Sequence, residues 1–262
     1  MTWPTVRSRA ARITLGVLAA ALGGLPAPAR AAPAPTPSPA ATADARPGTP
    51  AGSQPLVLDR VVVCWTSPDT GGPDKPQFIM ARELAFEARI EALADGYREA
   101  DGYADGHVRT ALERHVTETM LASLPLYTNP TRQQRDEVVK ETATYAEAAR
   151  LMIEQRVGGH QRLVDAARAE GMVGDEIDAL LRRQARASMY LDRMVAPMLK
   201  PTEAELRDLH QRGETPFTDR PFADGEVRAQ VQRWLVASRV AAALVRYYHG
   251  AQARLVVRLV DA

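Results

Sequence analysis

The segment Pro55–Ser67, PLVLDRVVVCWTS, is dense in Val and Leu and carries Trp65 near its end, the composition of a strand. A strand by itself leaves its backbone N–H and C=O groups unpaired, while most of the chain beyond it has the three- and four-residue periodicity of helices. A partner must therefore come from elsewhere in the sequence. One other long stretch alternates: Ala253, Leu255, Val257 and Leu259 interleave with Arg254, Val256, Arg258 and Val260, the period-two pattern of a half-buried strand. The two ends are expected to pair, with Gln252–Asp261 beside the first strand and Gln77–Met80 as a third. The expected fold is mostly α, a multi-helix module with a small β clasp formed by the N- and C-terminal strands.

The first residues read as an export signal. Arg7, Arg9 and Arg12 form a basic region before the apolar run Ile13–Leu25, which falls short of the about 20 residues of a membrane span. Ala29-Arg30-Ala31 fits small-x-small cleavage, so residues 1–31 are expected to be removed. No Cys stands at that junction to carry a lipid. No consecutive Arg pair precedes the apolar run, which favours export by the general secretory route, with no membrane span expected after cleavage. Residues 32–54 are mostly Ala, Pro, Thr, Ser and Gly and read as a flexible linker. The folded domain is expected over 55–262.

Helices are expected over Ala81–Leu93, His107–Leu124 and Thr131–Val157, with Gly158-Gly159 breaking the third and a shorter helix ending at Gly171. The strongest period comes next: Ile177, Leu181, Gln184, Ser188, Leu191, Val195 and Met198 form one stripe, and Pro197 should kink or end that helix. Thr202 and Glu205 suit a capping box at the next helix. The last helix should start after Asp224, carry Val227, Val231, Trp234, Ser238, Ala241, Val245 and Tyr248 on one face, and end at Gly250.

Composition narrows the function. Basic and acidic side chains nearly cancel, at a formal net charge of +1, and no basic face stands out, which argues against nucleic acid. Cys64 is the single cysteine, so the chain has no internal disulfide, and its strand position reads as a small buried hydrophobe. The stretch Asp95–His107 fails as a calcium loop starting at Asp101, because Tyr103 stands where the third ligand belongs and Leu112 where the bidentate Glu belongs. The five histidines, His107, His115, His160, His210 and His249, match no metal spacing and read as solvated or capped side chains. GxSxG, P-loop and GxGxxG patterns are absent, and no carboxylate pair is singled out. No catalytic residue, cofactor or metal is expected.

The order of these segments resembles the SurA-type periplasmic chaperones. "LDRVVVCW", a turn and "FIMARELAFEARI" are similar to the start of that family's chaperone domain. "MIEQRVGGHQRLVDAARAEGM" followed by "DEIDALLRRQAR" is similar to its middle, "KPTEAELRDLH" to a later helix, and the last helix and strand to its end. The resemblance runs over most of Leu56–Val260. It implies paired terminal strands and an ATP-independent holdase for unfolded envelope or outer-membrane proteins. It also implies a missing part: members carry a parvulin-type prolyl isomerase domain where this chain has only about Gln211–Pro221, too short for any domain. The expected protein is thus a non-enzymatic chaperone module. The alternative is a non-catalytic adaptor for one folded partner in an envelope complex. Met189, Tyr190, Met194, Met198, Trp234 and Tyr247 are the candidate client-binding residues, since Met adapts to varied partners. Oligomeric state is left open.

Overall fold

A computed structural model describes residues 59–260. The export signal, its cleavage position and the Ala/Pro-rich linker expected over residues 1–54 lie outside the described residues, as do the first residues of the opening segment. Among the described residues the fold is mostly helical, with three strands: β1 (Val61–Thr66), β2 (Gln77–Met80) and β3 (Val256–Leu259). The helices are α1 (Ala81–Ala94), α2 (Asp105–Ser123), α3 (Arg132–Val157), α4 (His160–Ala169), α5 (Gly174–Tyr190), α6 (Glu203–Gln211) and α7 (Gly225–Gln252).

The sheet has the order β2-β1-β3, antiparallel throughout. β1 is central, and the terminal pairing expected from the alternation is present, with Val63 opposite Leu259 and Trp65 opposite Val257. Three details differ from expectation. The strand at the C-terminal end is shorter, because α7 continues through Gly250 to Gln252; Gly250 stays helical, and the buried Ala251 anchors the last turn. β3 is also exposed along its whole length instead of half-buried. Cys64 is a third difference. Val63 and Trp65 take the inward positions of β1, and the pleat therefore puts Cys64, only partly buried, on the other face beside Phe78 and Arg258.

Two apolar clusters meet on α1. Phe86, Ile90 and Leu93 face Ile153 and Val157 of α3, Leu163, Ala166 and Ala167 of α4, and Leu180 and Leu181 of α5. Leu84 and Ala88 face Val63, Trp65 and Ile79 of the sheet, Ala111, Val116 and Met120 of α2, and Ala251 of α7. A third cluster joins α5 to α7 through Ala187, Leu191, Ala196, Val236, Val240 and Leu244, and a fourth seats α6 on the start of α7 through Leu206, Val227 and Val231.

Local signals set the ends of the helices. Thr131 and Gln134 close a reciprocal capping box on α3, and Gly158 caps its other end at φ 93°, a conformation that favours glycine. The Thr202 hydroxyl accepts from the Glu205 N–H at 3.3 Å, but the Glu205 carboxylate accepts from Arg239 instead of reaching back to the cap. Asp224 caps α7, accepting from the Glu226 N–H at 2.9 Å.

Removing Ala253–Ala262 would leave β1 with β2 alone and turn a central strand into an open edge. The expected outcome is aggregation on mild heating, read by light scattering, under conditions where the full chain stays in solution. A truncated chain that remains soluble with an unchanged melting midpoint would show that the clasp does not protect β1.

Candidate functional site

The candidate client-binding residues occupy different environments. Met189 is completely buried, with the Thr142 hydroxyl 3.3 Å from its sulfur, so it belongs to the interior and not to an open groove. Tyr190 and Tyr247 border the cluster between α5 and α7, half-buried. The Tyr247 hydroxyl donates to Asp69 at 3.2 Å, which ties α7 to the turn after β1; burial, then the Asp69 charge, pushes its pKa up to about 12. Trp234 is partly buried on α7. Met194 and Met198 point into solvent, 41% and 76% exposed.

The exposure of those two methionines has a local cause. Period-3.6 spacing would keep Leu191, Val195 and Met198 on one face, but the chain leaves α5 as a π turn over Leu191–Val195 and a 3₁₀ turn over Ala196–Leu199. A π turn adds a residue per turn and rotates the residues after it about the helix axis. Leu191 and Ala196 take the inward positions, and Met194 and Met198 rotate out. Pro197, which lacks an N–H, sits at the start of the 3₁₀ turn, but the regular helix has already ended at Tyr190, so the π turn and not the proline ends it.

A buried charged cluster, not expected from the sequence, joins α1 to α2, α3 and α5. Glu83, Glu87 and Glu91 recur every four residues and share a face of α1 between its two apolar contacts. Arg183 of α5 donates to Glu83 at 2.5 Å and also to Glu87. Arg114 of α2 donates to Glu91 and reaches Glu87 at 3.5 Å, while Arg156 of α3 donates to the second Glu91 oxygen at 2.5 Å. His115 Nδ1 lies 2.9 Å from Glu87. This corrects the reading of His115 as a solvated group. His107 acts as a cap, its Nδ1 accepting from the Ala104 N–H at 3.0 Å.

Glu118 completes the cluster with poorer contacts. Its oxygens lie 3.7 Å from Arg183 Nε and 3.8 Å from Arg114 Nε, and its Oε2 and both Nε atoms have no hydrogen-bond partner. The two buried carboxylates accordingly respond in opposite directions. Burial disfavours the charged form of Glu87, but Arg183, His115 and Arg114 outweigh it and hold its pKa far below the usual carboxylate range. For Glu118 burial wins over Arg114 and Arg183, helped by the Glu87 charge, and its pKa rises to about 7.

Glu83, Glu87 and His115 each offer a ligand atom within 4.8 Å of one another, the spacing of a small metal site. The charges around them fit a proton better. Glu83, Glu87, Glu91 and Glu118 face Arg114, Arg156 and Arg183, so the cluster lacks one positive charge when His115 is neutral. A proton on Glu118 supplies it. A divalent ion would overfill it and would displace the Arg183 guanidinium from both of its carboxylates. A separate hollow of about 310 Å³ lies between α6 and α7, lined by Glu203, Arg207, Gln211, Phe222, Ala223 and Arg228, with charged walls.

No family model, no curated protein and no solved structure matches this chain. Among the described residues no helix is long and apolar enough to cross a membrane.

Removing one partner of a buried ion pair leaves the other charge uncompensated. Arg183→Ala is therefore expected to cost about 3–5 kcal/mol of stability, whereas the exposed Arg207→Ala should change it by less than about 0.5 kcal/mol. Denaturant titration separates the two, and equal small effects would remove the cluster from its central place. The pH dependence has a defined sign. Between the usual carboxylate value of 4.5 and about 7 the folded state holds a proton on Glu118 that the unfolded chain releases, so stability rises as pH falls through that window. Below it, stability falls again as the unfolded chain takes up the proton that folded Glu87 refuses. Glu118→Gln should flatten the upper limb of a denaturation-midpoint profile and leave the acid limb in place; an unchanged upper limb would count against this assignment.

Proposed function

We propose that the protein is an exported, ATP-independent holdase of the periplasm that binds unfolded segments of envelope or outer-membrane proteins and has no prolyl isomerase activity. The observation that carries this reading is the pair of flexible methionines, Met194 and Met198, held in solvent by an irregular turn whose neighbours Leu191 and Ala196 are anchored in the core. An unbranched, polarizable side chain on a fixed base can follow partners of many shapes. The ordered resemblance of the helical segments and terminal strands to SurA-type chaperones supports the same reading. Tyr190 and Tyr247, each partly exposed and packed against the cluster that holds Leu191 and Ala196, would contribute at the margins of such a surface, and Trp234 is partly exposed on α7. Without an energy source to eject clients, binding must be weak enough to reverse by itself.

The test is light scattering of an unfolded outer-membrane porin diluted into buffer with the mature protein. Suppression at stoichiometric excess is expected. Met194→Glu combined with Met198→Glu should raise the concentration for half-suppression by about fivefold or more, and the stability should shift by less than about 0.5 kcal/mol. A folded protein that leaves porin aggregation unchanged would overturn the holdase reading and favour an adaptor with one dedicated partner.

A further inference from the structure

β3 is an edge of the sheet, unpaired on its outer side among the described residues. The Val260 N–H donates to the Val62 carbonyl at 3.0 Å. In an antiparallel ladder alternate residues turn their N–H and C=O toward the neighbour. Val256, Arg258 and Val260 therefore face β1, and the main-chain groups of Val257 and Leu259 face outward. Their side chains lie on the same sheet face as the buried Val63 and Trp65, yet they are 41% and 73% exposed. Natural edges are blunted by short length, charged side chains, Pro, a bulge or a cover. β3 is short, four residues with Arg258 as its one charge, but it has no Pro or bulge, the sheet's irregularity lying between Val61 and Val63 on the β2 side, and among the described residues nothing pairs beyond it.

Three occupants are conceivable, and charge and composition separate them. A second copy, paired antiparallel so that all of Val256–Val260 is used, would set Arg258 opposite its own counterpart, and like charges directly opposite destabilise a sheet. The chain's own residues 32–54 contain six Pro and no Val, Ile, Leu or aromatic residue, so they can neither complete a ladder nor cover Leu259. A foreign strand has neither defect. Arg258 makes no ion pair among the described residues and stands in line with Cys64 and Phe78 across the outer face, so it offers a free positive charge to the next strand.

We infer that the β3 edge takes an extended apolar segment of a non-native polypeptide by strand addition, with Arg258 favouring an acidic residue opposite it. The occupant's identity rests on the holdase reading; the acceptor edge does not. Main-chain bonds supply sequence-tolerant affinity, and the alternate apolar positions seat against Val257 and Leu259.

The experiment uses the mature protein and two labelled apolar heptapeptides, one with a central Asp and one with a central Lys, followed by fluorescence anisotropy. Val257→Pro removes an outward N–H without touching the β1 ladder and should weaken both peptides by about tenfold. Arg258→Glu keeps the ladder whole and should reverse a preference of about threefold for the Asp peptide, which keeps the test decisive if the proline variant fails to fold. Peptide binding unchanged in Val257→Pro, or a charge preference unchanged in Arg258→Glu, overturns the inference. So does sedimentation showing a wild-type dimer that Val257→Pro dissolves, which would assign the edge to a second copy. If wild type suppresses porin aggregation but binds peptide away from this edge, the edge assignment fails and the holdase stands. If it neither suppresses aggregation nor binds peptide, both fail.

Discussion

The fold depends on how α1 is occupied. Two of its sides are apolar and complete different clusters, while the third carries Glu83, Glu87 and Glu91 into contact with α2, α3 and α5. Ion pairs removed from water contribute little net stability over a well-packed apolar equivalent, but each is intolerant of a missing partner. Here they fix which helices surround α1 and in what register, because Arg114, Arg156 and Arg183 must each arrive at a defined carboxylate. The apolar clusters supply the attraction, and the charges select the arrangement.

Much of the fold is legible in the sequence because local signals agree with tertiary placement. Gln77–Met80 is a strand as read, Thr131 and Asp224 cap their helices, and Gly158-Gly159 ends α3. The pairing of the chain ends comes from an elementary requirement, that an alternating segment needs a neighbour for its backbone. The misreadings have physical causes. Gly250 reads as a helix stop, but the burial of Ala251 one residue later holds the last turn closed. Residue type alone puts Cys64 in the core, while the alternation of the strand gives the inward positions to Val63 and Trp65.

The site is less legible. The π turn at Leu191–Val195 leaves no mark in a period-3.6 pattern, so the stripe runs on to Met198 in the sequence when the chain has already rotated away. Residue type also favours Met189 as a contact, and it lies inside. The acidic cluster does have a signal, since Glu83, Glu87 and Glu91 recur at one-turn spacing. That pattern also describes an ordinary solvated face, and only the arrival of Arg183 from about 100 residues away separates the two. Charged side chains on a helix take their meaning from what packs opposite, which a single helical period does not contain.

The terminal clasp also has a consequence in time. Val63 and Leu259 are about 200 positions apart, and closing a loop of that length carries an entropic cost that no local contact offsets. β1 and β2, joined by a short turn, can form as soon as both have emerged, but β1 must wait for almost the entire chain before its second neighbour exists. A chain made N-terminus first therefore holds an apolar strand half-paired until a segment about 200 positions later has been made. The sheet closes only through its most sequence-distant pairing, so β1 keeps one edge unpaired while all seven helices between the two strands are being made.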